Sequence, residues 1–74
     1  MFNNRQAIAI ASDILRISFY TTYSKFKDDA KSVNIDLNDE INKIIKSAKT
    51  YRELRGLLIM LICETDAKIC GRDF

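Results

Sequence analysis

The segment TYRELRGLLIMLICETDAKIC, residues 50–70, limits what this chain can fold into more than any other. "TYRE" has capping-box spacing, with Thr50 as N-cap and Glu53 at the third helical position. Gly71 follows as a C-terminal stop, so the sequence predicts a helix over 51–70. By periodicity alone the run Leu57–Cys63 could also be a buried strand. The capping box and the length of the compatible segment favour helix. Leu54, Leu57, Leu58, Leu61 and Ile62 fall on one side of it. Gly56, Ile59, Met60, Cys63, Ala67 and Cys70 fall on the other. A helix apolar on two faces has to be covered on two faces.

The rest of the chain offers two more helices. The first is expected over about 5–27, capped by Asn3 or Asn4, with Gln6 at capping-box distance from Asn3. Ala7, Ile8, Ile10, Ala11, Ile14, Leu15, Ile17, Phe19 and Phe26 spread around about half its circumference. Asp28 and Asp29 oppose the dipole at its end, and DDAKSVNID, residues 28–36, reads as an acidic connection. The next helix, over 37–49, takes Asp36 or Asn38 as its cap and carries Asp39 and Glu40 in its first turn. Leu37, Ile41, Ile44, Ile45 and Ala48 give it one narrow apolar stripe. No proline and two glycines among 74 residues suit helices joined by short connections. The expected fold is therefore all-α, a single three-helix domain spanning 1–74.

Such a domain has more apolar helix face than three helices can cover. A small core is also marginal without a staple or a partner subunit. The sequence thus predicts a homo-oligomer, most simply a two-fold dimer, assembling through apolar faces of the first and third helices. Gly56, Ile59, Met60, Cys63 and Ala67 are the expected interface, with Gly56, Met60, Cys63 and Ala67 in a row at i, i+4, i+7 and i+11 small enough for another helix to approach closely. Charge is segregated along the chain. Residues 1–27, 28–40, 41–55 and 56–74 carry +3, −4, +4 and −1, a total of +2. Alternating blocks suit surfaces that meet with opposite signs facing; a total so small does not itself point to nucleic acid.

Little here resembles catalytic chemistry. Histidine is absent, which removes the usual general base near neutral pH. No P-loop, G-x-S-x-G or Gly-rich phosphate cradle occurs. Cys63 and Cys70 are too few for a disulfide framework, and two helical turns apart they are too distant to bond to each other. They read as buried thiols in a reducing cytoplasm. Asp36, Asp39 and Glu40 could face one cation, yet a helix N-terminus accounts for them and no EF-hand spacing is present. No enzyme activity, cofactor or metal is expected. No apolar run approaches the roughly 20 residues of a membrane span, and no secretory signal is read at the N-terminus, so a cytoplasmic protein is expected.

One surface stands out. In RISFYTTYSKFK, residues 16–27, a continuous helix would align Arg16, Tyr20, Tyr23 and Lys27 at i, i+4, i+7 and i+11, away from Ile14, Leu15 and Phe19. Phenol rings beside cations can stack on bases while the cations meet phosphates, or can anchor a protein interface. Two functions follow as expectations. The first is a small oligomeric interaction protein that binds and modulates a partner protein, as regulators and phage-type inhibitors do. The alternative is nucleotide, cyclic-nucleotide or nucleic-acid binding through the Arg16, Tyr20, Tyr23 and Lys27 row.

Overall fold

A capping threonine splits the first expected helix, so the described residues form four helices, not three. The computed structural model describes residues 2–16 and 22–71. Its elements are α1 (Asn4–Leu15), α2 (Tyr23–Ser32), α3 (Leu37–Ser47) and α4 (Tyr51–Ile69). The helix expected over 5–27 is not continuous. Thr22 takes extended dihedrals, φ −140 and ψ 150, and its side chain accepts from the Lys25 N–H at 3.2 Å. That is an N-cap, and it starts a new helix where apolar periodicity reads straight through.

The acidic stretch expected as a connection is mostly helix. Within α2, Lys25 pairs with Asp29 one turn on, at 3.4 Å, and the Ser32 hydroxyl donates to the Asp29 carbonyl. The helix closes in a Schellman motif. Asn34 sits in the left-handed region at φ 63. Its N–H donates to the Lys31 carbonyl and the Ile35 N–H to the Ala30 carbonyl, both at 3.0 Å. Asn tolerates this conformation better than any other residue with a Cβ, so residues 33–36 turn the chain tightly into α3.

The other ends follow the sequence more closely. Asn3 and Gln6 form a reciprocal capping box on α1. Asp36 caps α3 by accepting from the Asp39 N–H. α3 stops at Ser47, two residues short of expectation, because Ala48 is extended. Thr50 caps α4, while Glu53 accepts from the Lys49 N–H and not from the cap's own. Cys70 closes α4 and Gly71 follows at φ 70, where glycine avoids a Cβ clash.

α4 packs against each of the other three helices. Its buried residues Leu54, Leu58, Ile62 and Thr65 recur at i, i+4, i+8 and i+11. Around them lie Ala7, Ala11, Ile14 and Leu15 of α1, Phe26 and Ala30 of α2, and Leu37 and Ile41 of α3. Each fully buried Leu, Ile or Phe contributes about 1.5–3 kcal/mol of transfer free energy. The Cα radius of gyration, 11.6 Å, matches the roughly 11 Å of a compact chain this long. No strand occurs among the described residues. None of their helices is long and apolar enough to cross a membrane.

Candidate interaction surfaces

The break at Thr22 dismantles the helical row that joined Arg16 to Lys27. Arg16 is the exposed C-cap of α1, 4.0 Å from Asp13. Tyr20 lies outside the described residues. Tyr23 and Lys27 are on α2, one turn apart and both half-buried. The Tyr23 ring packs against the core rather than standing in solvent. Its Oη is buried without a hydrogen-bond partner among the described residues. Burial first, then the Asp36 carboxylate, raises the phenol above its ordinary value.

The second predicted surface is formed by one helix face. Gly56, Ile59, Met60 and Cys63 are exposed on α4 and Ala67 is half-buried. Ile59 is 37% exposed and Met60 58%. Nothing lies within 4 Å of a Cβ built on Gly56. The row 56, 60, 63, 67, 70 has the 4-3-4-3 spacing of a coiled-coil seam. α4 is therefore apolar on two faces, as its sequence indicates, and the bundle covers only one. The cysteines expected in the core are both exposed in the single chain, because they lie on this outward face. Cys70 Sγ also lies 3.8 Å from Asp66 Oδ1.

The ends of this face differ in charge. Arg52 and Arg55 are exposed in the first two turns. Asp66 flanks the other end on the same side as Arg52, two heptads along. The expected row thus sits between a basic and an acidic end.

A third feature joins the acidic set Asp36, Asp39 and Glu40, which the sequence explains as a helix N-terminus, to a part of α4 that the sequence does not single out. Asn34, Ile35, Asp36, Asp39 and Glu40 face Leu61, Glu64, Thr65 and Lys68 of α4 across a groove of about 380 Å³. Lys43 lies 3.4 Å from Asp39 and 3.6 Å from Glu40. The hydrogen bond to Asp39, then the charge of Glu40, raises its pKa. Thr65 is 1% exposed and its Oγ1 has no hydrogen-bond partner among the described residues. An unpaired buried hydroxyl costs about 1–3 kcal/mol. The signal was legible: Thr65 continues the Leu54–Leu58–Ile62 stripe and is the one polar residue on it. Among the described residues, no cluster of His, Cys, Asp and Glu is arranged to hold a metal ion. Comparison of the chain with family models, with curated proteins and with solved structures finds no match.

Proposed function

We propose that the protein is a non-enzymatic helical interaction protein that works as a homodimer, two copies pairing along the outward face of α4 and together binding and modulating a partner protein. The observation that carries this reading is the exposed Met60 in the seam of small residues, with the exposed Ile59 beside it. An apolar stripe at coiled-coil spacing on a surface helix is covered in the working state of a soluble protein. The charge pattern selects an antiparallel pair. A two-fold axis beside Ile59 puts Gly56 opposite Cys63 of the second copy and Arg52 beside its Asp66. A parallel pair would set Arg52 against Arg52. The two exposed thiols suit a reducing, cytoplasmic setting. Mass in solution tests the pairing: sedimentation at micromolar concentration gives a dimer if the reading holds, and a monomer at every concentration removes it.

A further inference from the structure

The groove between α4 and the α2–α3 turn lies on the flank of α4 away from Ile59, and the pairing above makes no use of it. We propose that it binds an organic cation carried on an alkyl chain, a guanidinium or ammonium group, with the Thr65 hydroxyl as a hydrogen-bonding partner inside it.

Three observations converge. The first is charge: Asp36, Asp39, Glu40 and Glu64 line the groove against a single lining cation, Lys68. The N-terminus of α3 accounts for Asp36, Asp39 and Glu40, and Lys43 draws Asp39 and Glu40 toward its own side. Glu64 is exposed in the C-terminal half of α4, one turn before Lys68, a spacing that suits an ion pair, yet it forms none within 4.0 Å among the described residues.

The second observation is independent of charge. Thr65 lines the groove, is 1% exposed and leaves its hydroxyl unpaired. Buried hydroxyls are nearly always satisfied, so an orphan beside a groove marks a place where a donor or acceptor is to come. The hydroxyl is covered as it stands, and a turn about χ1, which has two wells for a helical threonine, is needed to bring it to a ligand in the groove.

The third is shape. Ile35 and Leu61 supply apolar wall beside the carboxylates, which suits methylenes ending in a charged head. The volume of about 380 Å³ suits a short aliphatic cation. Such a head belongs equally to a free amine or guanidine and to an Arg or Lys side chain of a bound protein.

Titration of the full chain, followed by amide chemical shifts at low and high ionic strength, separates these sources. One arm uses agmatine and the other a neutral peptide bearing one Arg. Saturable binding of either probe, with shifts at residues 34–40 and 61–68, is the expected result. Saturation by agmatine assigns a small-molecule site, and saturation by the peptide alone assigns a side-chain socket. Glu64→Gln should weaken binding at least about tenfold, the loss of one charge-assisted hydrogen bond. Thr65→Val should weaken it about three- to tenfold while leaving the melting temperature equal to or above that of the parent. That combination separates a ligand-facing hydroxyl from a structural one. No saturation by either probe, or affinity unchanged in Thr65→Val, overturns the proposal. Neither result depends on the oligomeric state.

Discussion

Met60→Gln isolates what the outward face of α4 contributes to pairing. The substitution keeps chain length and, nearly, helix propensity, and Met60 is exposed within one chain, so the fold should be undisturbed. Full burial of a methionine side chain contributes about 1.5–3 kcal/mol. Met60 is already 42% covered by its own chain. Covering the remaining 58% is therefore worth about 0.9–1.7 kcal/mol per subunit. Two-fold symmetry uses the residue twice, so the dimer loses about 2–3 kcal/mol in all. That raises the dimer dissociation constant about 30- to 150-fold. Sedimentation equilibrium over a concentration series measures the constant, and thermal unfolding at high dilution checks the monomer. A dissociation constant changed less than threefold, with the monomer's melting temperature intact, would mean that Met60, the exposed large apolar side chain of the seam, is not in the interface.

Other consequences are more local. Gly56→Cys should cross-link to Cys63 of a second copy on mild oxidation and run as a covalent dimer without reductant. The same two positions in one chain are two turns apart, roughly 10 Å, so no intrachain bond competes. Cys63→Ser in that background should abolish the band. Thr22→Ala removes the α2 cap and should lower unfolding free energy by about 1 kcal/mol, read by denaturant titration; no change would mean that Thr22 does not start the helix. Tyr23→Phe deletes a buried, unpartnered hydroxyl and should be neutral or stabilising at pH 7. Its pH dependence has a definite sign. The folded-state value lies above the ordinary 10.0, so the folded protein keeps a proton that the unfolded chain releases. Stability from this group is complete below about pH 10 and is lost as pH rises through the folded value. The variant should lose less stability than the parent above pH 10. Equal losses would show that the phenol is not buried as described.

How much of this was legible in the sequence depends on which force set each element. α4 was readable because its signals agree: Thr50 at one end, Gly71 at the other, and a long apolar segment between them. Its two-sided apolarity also transferred directly, with one side buried and the other exposed. The first helix misled because apolar periodicity from Ala7 to Phe26 masks a local competitor, the Thr22 side chain, which caps the backbone from within the pattern. The same bias made Asp28 and Asp29 look like a helix end, although Lys25 offsets Asp29 one turn away and the stop is set by Asn34. The Tyr and Arg row depended on continuity through that region and lost its geometry with it. The groove was hidden for another reason. Its walls come from residues 34–40 and 61–68, brought together only by the packing of α3 on α4.

A single copy leaves the outward face of α4 exposed at Ile59 and Met60, and the proposed pairing covers it. The most direct measurement is the mass in solution, by sedimentation velocity with a concentration series through the micromolar range. Pairing along α4 gives a reversible species of twice the 8.5 kDa chain mass, weakened by Met60→Gln. A single 8.5 kDa species at every concentration, unchanged by that substitution, would contradict it.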